Sequence, residues 1–132
     1  MDATVEKTIQ ALIATAWADG QVGDDEQEVI ETVLDAYGVM GDEAARIREW
    51  AKTRRTLEQL DLGSMAEVDA VLLLQQAVFV TYIDGVQTDQ ELELLHELAR
   101  KLGLQQSRAN ELIRTTTARA KARYEEERAA AH

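Results

Sequence analysis

The distribution of apolar and polar residues predicts helices along most of the chain, arranged around one strongly apolar stretch. Residues 65–83 are apolar on nearly every side, and a helix without a polar face is normally buried all round. Ser64 and Glu67 precede this stretch with the spacing of a capping box, in which the two side chains satisfy free N–H groups at a helix start. Thr88 and Glu91 repeat that spacing after it. We therefore predict a buried central helix over 65–83.

Apolar residues recur at the helical period on both sides of the central helix. Each predicted helix begins at a polar residue that can cap it, and four end at a glycine, which adopts the left-handed conformation freely. The predicted starts are Asp2, Asp24, Asp42, Thr56, Thr88 and Gln106, and the predicted glycine stops are Gly20, Gly38, Gly63 and Gly103. We predict an all-α bundle of about seven helices, whose last helix reaches about residue 128 and protrudes from it.

Composition supports this fold and narrows the class of protein. The 132 residues fit one domain over 1–132, and the absence of proline removes the strongest helix breaker. Without cysteine there is neither a disulfide framework nor a thiolate metal site, which suits a reducing compartment. The N-terminal residues do not have the pattern of a signal peptide, and the apolar run at 68–83 is short for a membrane span. We expect a cytoplasmic protein without a transmembrane segment.

Charge is strongly segregated along the chain. The formal net charge of −11 argues against nucleic-acid binding, because affinity for phosphates comes largely from lysine and arginine. No lysine or arginine lies between Lys7 and Arg46 or between Arg55 and Arg100, whereas residues 46–55 are rich in arginine and lysine. This basic segment could bind an acidic protein or an anionic lipid, or it could pair with the chain's own acidic residues.

The sequence contains an internal repeat. Asp-Gly turns, acidic helix starts and glycine stops recur 65 residues apart, as from position 19 to position 84. The matched pairs are Asp19 with Asp84, Gly20 with Gly85, Asp24 with Asp89, Glu26 with Glu91, and Gly38 with Gly103. We predict two helical-hairpin repeats, over about 2–52 and 65–115, related by a pseudo-two-fold axis that brings the two Asp-Gly turns together.

The first copy of the repeat resembles a known family. The segment Ala14–Glu26 reads Ala-Thr-Ala-Trp-Ala-Asp-Gly-Gln-Val-Gly-Asp-Asp-Glu, and Gly38-Val39 follows it. This pattern is similar to the TerB-like family, named for bacterial tellurite resistance, which also occurs in the N-terminal region of a membrane-anchored J-domain co-chaperone. The second copy departs from the pattern, since Val86 and Gln87 exchange the aliphatic and polar positions. The resemblance implies a helical bundle without demonstrated enzymatic activity, acidic candidate metal ligands, and a role in stress-response or membrane-associated complexes.

The acidic turns are the candidate metal site. Hard cations require several oxygen ligands, and an Asp-Gly turn followed by a glutamate resembles the second half of an EF-hand loop. Thr15 and Trp17 stand where the first half of such a loop needs acids, so a true EF-hand is excluded. The alternative is that these carboxylates only make turns and cap helices. The candidate ligands for calcium, magnesium, manganese or zinc are Asp19, Asp24, Glu26, Asp84, Asp89 and Glu91.

No catalytic constellation stands out elsewhere. His96 is the one histidine inside the chain, so a zinc site is improbable and a surface or half-buried position is expected. Trp17, Tyr37, Trp50 and Tyr82 lie on apolar helix faces and are expected in the core, although an exposed Trp50 would indicate a partner surface. We predict a non-catalytic TerB-like stress-response module that contacts a protein partner, alone or in a complex at the inner membrane. The alternatives are a structural adaptor with acidic surfaces and no metal, or an enzyme that uses unassigned carboxylates.

Overall fold

The computed structural model describes residues 2–17, 24–53, 55–82 and 87–130, and for residues 24–26 it describes the backbone alone. These residues form six α-helices and one short 3₁₀ helix, which confirms the predicted all-α class. The helices are α1 (Ala3–Ala16), α2 (Asp24–Ala36), α3 (Gly41–Ala51), α4 (Glu67–Thr81), α5 (Asp89–Lys101) and α6 (Gln106–Ala130), and the 3₁₀ helix Leu57–Gln59 lies between α3 and α4.

The centre of the bundle is the contact between α1 and α4. Ile9 and Ile13 of α1 and Leu74 and Val78 of α4 are fully buried in one core. Helix α2 packs on α1, while α5 and α6 pack on α4 and on each other. The strongly apolar stretch of the sequence therefore occupies the middle of the fold, as its pattern predicts.

The helix boundaries repeat at the offset seen in the sequence. Helix α5 begins and ends 65 residues after α2, and α6 begins 65 residues after α3. The stops of α2 and α5 also match, because Gly38 and Gly103 adopt φ values of 66° and 78°. In both, the next residue's N–H bonds back into the last helical turn, with an N···O distance of 2.9 Å for Val39 and 3.1 Å for Leu104. The limits of the repeats as units and the pseudo-two-fold axis stay predictions.

Two expectations for the central helix are wrong. Helix α4 begins at Glu67, after Ala66, and no side chain caps it. Ser64 instead accepts a hydrogen bond from Lys7 Nζ at 3.4 Å, and Glu67 forms an ion pair with Arg108 of α6, so neither side chain serves the predicted capping box.

The central helix is also not buried all round. Val68 and Leu72 keep 71% and 51% of their surface exposed, because α1, α5 and α6 cover the other sides of α4 and leave this side to solvent. None of the helices in the described residues has both the length and the apolar character needed to cross a bilayer.

The capping box predicted at Thr88 is confirmed. The Thr88 backbone N–H donates to Glu91 Oε1 at 2.9 Å, and the Glu91 N–H donates to Thr88 Oγ1 at 3.1 Å. The short helix predicted after Thr56 is also present, as the 3₁₀ turn Leu57–Gln59. Both features fix the path of the chain around the core.

Candidate interaction site

The candidate metal ligands fall mostly outside the described residues. Asp19 and Asp84 lie outside them altogether, and of Asp24 and Glu26 only the backbone is described, in the first turn of α2. Asp89 is the first residue of α5 and is exposed. Glu91 is half-buried and its carboxylate accepts the Thr88 N–H, which is the capping role weighed as the alternative to metal binding. Cation binding at the two turns therefore stays a prediction from the sequence.

Elsewhere in the part of the chain that the structure describes, no group of three or more histidine or acidic side chains is placed to hold a metal ion. The described acids are instead spread over the surface or used in pairs with basic residues.

The basic segment 46–55 pairs with the chain's own acids. Arg46 lies 3.4 Å from Glu6 of α1, and Lys52 lies 2.8 Å from Glu49. Arg48 forms a two-pronged contact with Glu31 of α2, with both N···O distances at 2.8 Å. The hydrogen bonds from Arg48 hold the pKa of the Glu31 carboxyl below its ordinary value. The segment was expected to bind an acidic protein or an anionic lipid, or to pair with the chain's own acids. These three described side chains form internal pairs.

The aromatic residues largely serve the core. Trp17 is buried, while Tyr37, Trp50 and Tyr82 are half-buried and pack against the core cluster. The Arg55 guanidinium lies 4.6 Å from the centroid of the Trp50 ring and donates to the Trp50 carbonyl at 2.8 Å. Because its ring is covered in this way, Trp50 is not the exposed aromatic residue that would indicate a partner surface. The Tyr37 hydroxyl donates to Gln76, and burial raises its pKa.

An open groove lies between α5 and α6 in the described surface, and we call it the α5–α6 groove. It has a volume of about 770 Å³. Leu92 and Ala99 of α5 and Ala109 and Ile113 of α6 line it, together with Leu104 from the connection between the two helices. The groove therefore has an apolar floor between α5 and α6.

The charged side chains of this groove are all basic. Arg100 on the α5 wall and Arg114 on the α6 wall line it, and no acid is found among its described lining residues. Within the described residues neither arginine forms an ion pair, unlike Arg46, Arg48, and Arg108. His96 also lines the groove and is half-buried, as expected. A positive rim is a distinct local feature in a chain with a formal net charge of −11.

At the same offset in the first repeat, an exposed ion pair joins the two helices. Positions 31 and 48 lie 65 residues before positions 96 and 113, and they carry Glu31 and Arg48. These two side chains bridge α2 and α3, whereas His96 and Ile113 leave the space between α5 and α6 open. Sequence reasoning missed the groove, but this pair of replacements, visible when the repeats are aligned, is the signal that could have found it.

Comparison with known proteins gives a family but no closer relative. Residues 1–116 match the family described as "Protein of unknown function (DUF533)". No curated protein and no solved structure matches the chain. The matched span contains both predicted repeats and every lining residue of the groove except Thr117, and it ends within α6. Because the match covers most of its length, the chain belongs to the DUF533 family.

Proposed function

We propose that this chain is a non-catalytic, TerB-like interaction module of a tellurite-resistance-type stress response, and that it binds a protein partner in the α5–α6 groove. The motifs that resemble the TerB-like family lie within about residues 5–115, the same part of the chain that matches the DUF533 family. We expect it to act in the cytoplasm, with any place at the inner membrane depending on its partner.

The observation that carries the proposal is the combination of an apolar floor with unpaired arginines. Apolar surface in an open groove is in contact with water. Covering it with the side chains of a partner is favourable by roughly 25 cal/mol per Å² buried. The two arginines have no internal partner in the described chain, so an incoming group can pair with them. Such a groove is suited to binding.

The lining of the groove favours binding over catalysis. An enzyme that uses carboxylates would need them in a pocket that perturbs their pKa. The described lining of the groove holds no carboxylate, and the Glu31 carboxyl, whose pKa is lowered by Arg48, lies in a surface ion pair in the other repeat. We therefore keep the enzyme as the least favoured of the three functions.

A cross-linking experiment tests whether the groove is occupied by a partner in cells. Asn110 and Glu111 are neighbouring exposed residues of α6, and only Asn110 lines the groove. A photoreactive residue at position 110 should give a discrete protein adduct, and one at position 111 should not. The adduct should disappear when Gln106→Trp, at another exposed lining position, fills the groove. Equal labelling from both positions would remove the groove from the proposal.

The cation part of the proposal separates the module from a purely structural adaptor. We expect calorimetry at millimolar calcium, magnesium, manganese or zinc to show heat of binding that is lost in Asp19→Asn/Asp84→Asn. Asp42→Asn, at the start of α3, is the control. Absence of heat with all four metals would leave the adaptor.

The stress-response role is tested by deleting the gene and measuring growth on tellurite. We expect the wild-type chain to rescue growth and Gln106→Trp not to rescue it.

A further inference from the structure

We infer that the α5–α6 groove receives an acidic amphipathic helix from the partner protein. This inference rests on the proposed function and specifies the chemistry of the partner. The partner helix would place its apolar face on the floor of the groove and its carboxylates beside Arg100 and Arg114.

The shape of the groove fits a helix. Helices α5 and α6 form its walls, and a third helix can lie along the space between them with its apolar face inward. Ala99 and Ala109 line the floor from opposite walls. Both alanines are buried in the core, and the half-buried Leu92 and Leu104 offer the apolar contacts for the larger side chains of a partner helix.

The charges of the groove select acidic flanks on that helix. Arg100 and Arg114 stand on different walls, so a bound helix needs carboxylates on both sides of its apolar face. The α5 acids Glu93 and Glu97 line a separate pocket beside Trp17, away from the groove. A basic helix would meet two like charges in the groove, and juxtaposed like charges are strongly unfavourable at an interface.

The first repeat shows the same contact made within the chain. There Glu31 of α2 bridges to Arg48 of α3 at 2.8 Å in a surface ion pair. His96 stands 65 residues after Glu31, and Arg100 and Arg114 have no ion-pair partner among the described residues. The partner's acids would supply the missing carboxylates.

Two designed peptides test the inference on the full chain. Each is an amphipathic helix of about 18 residues, about five turns, with leucine along one face. One peptide carries glutamate on both flanks and the other carries lysine at the same positions. We expect fluorescence anisotropy to show that the chain binds the acidic peptide at least about tenfold more tightly than the basic one, with weaker binding at higher salt.

Variants of the chain locate the site. Arg100→Glu/Arg114→Glu should weaken binding of the acidic peptide by about tenfold or more. His96→Glu, which restores a carboxylate at the position equivalent to Glu31, should also weaken it. Arg119→Glu is the control. Arg119 is an exposed residue of α6, the helix of Arg114, but it does not line the groove, so affinity for the acidic peptide should be unchanged.

Three results would overturn the inference. They are equal affinity for the acidic and basic peptides, no binding of either peptide, and binding to vesicles of phosphatidylglycerol through Arg100 and Arg114 in place of the peptide. The cross-linking at Asn110 does not depend on the charge of the partner. A groove that cross-links a partner but fails these peptide tests would therefore retain the proposed function and lose only the acidic helix.

Discussion

The two repeats share a helical framework but differ in the space between their last two helices. Helices α2 and α5 start and stop at equivalent positions and end with the same backbone hydrogen bonds. Between α2 and α3 that space is bridged by Glu31 and Arg48, whereas between α5 and α6 it is an open groove. The framework thus follows from many apolar positions and two glycines, while the side chains between the last two helices differ.

The third helices of the repeats also differ in what they contact. Helix α6 packs along both α4 and α5 and continues to Ala130, whereas α3 ends at Ala51 and packs on α2. Arg46 of α3 reaches Glu6 of α1 through an exposed ion pair, which contributes little to stability. The third helices of the two repeats therefore differ in length and in the helices they pack against.

The shared framework predicts that equivalent core positions contribute equally to the free energy of unfolding. Ile9 of α1 and Leu74 of α4 lie 65 residues apart and are both fully buried. We expect Ile9→Ala and Leu74→Ala each to lower the free energy of unfolding by about 3 kcal/mol, because each leaves a cavity in the same core. Urea unfolding of the full chain measures both values.

The exposed side of α4 provides the control for these core variants. Val68→Ala, at a residue with 71% exposure, should change the free energy of unfolding by less than about 0.5 kcal/mol. A large loss for one core variant and a negligible loss for its equivalent would show that the repeats do not share a core.

The two glycine stops should be equally sensitive to substitution. Gly38 and Gly103 have positive φ, and a Cβ added at either would meet nothing within 4 Å. Gly38→Ala and Gly103→Ala should each cost about 1 kcal/mol, from the left-handed conformation alone. Thermal or urea unfolding measures the loss. Gly63→Ala, where φ is not positive and a Cβ would meet only ordinary contact, should cost less, and an equal cost there would contradict the explanation.

The capping boxes predicted before α4 and before α5 allow a smaller test of stability. Thr88→Ala removes the acceptor of the Glu91 N–H and should lower the free energy of unfolding by about 1 kcal/mol. Ser64→Ala, at the position of the capping box that does not form, should have less effect, because Ser64 accepts only a long hydrogen bond from Lys7. Equal losses in urea unfolding would mean that both serve as helix caps.

The sequence predicted the helices well because their signals are local. Periodic apolar residues, glycine stops and the Thr88 capping box depend on neighbours a few positions away. The Ser64 prediction was wrong because Glu67 contacts Arg108, a residue from a distant helix that no local pattern reveals. The exposure of Val68 and Leu72 likewise depends on how three other helices surround α4.

The groove could not be predicted from either repeat alone. It depends on which residues of α5 and α6 face each other across the space, and helical periodicity does not specify this pairing. Aligning the repeats supplies the missing information, since an acid and a base that bridge α2 and α3 are replaced by His96 and Ile113.

The smallest expected effect on stability concerns the Glu31–Arg48 ion pair between α2 and α3. Arg48 lowers the pKa of Glu31 from its ordinary value of 4.5, so folding favours the charged carboxylate. The stabilisation is fully present above the unfolded pKa and is lost as the pH falls through the lower folded pKa. Urea midpoints of the wild type and Glu31→Gln should therefore differ slightly near neutral pH and converge in acid. Glu28→Gln, one turn earlier on α2 and without an ion pair among the described residues, should show no such convergence. A difference for Glu31→Gln that persists at low pH would mean that Glu31 holds α2 and α3 together by packing and not by its charge.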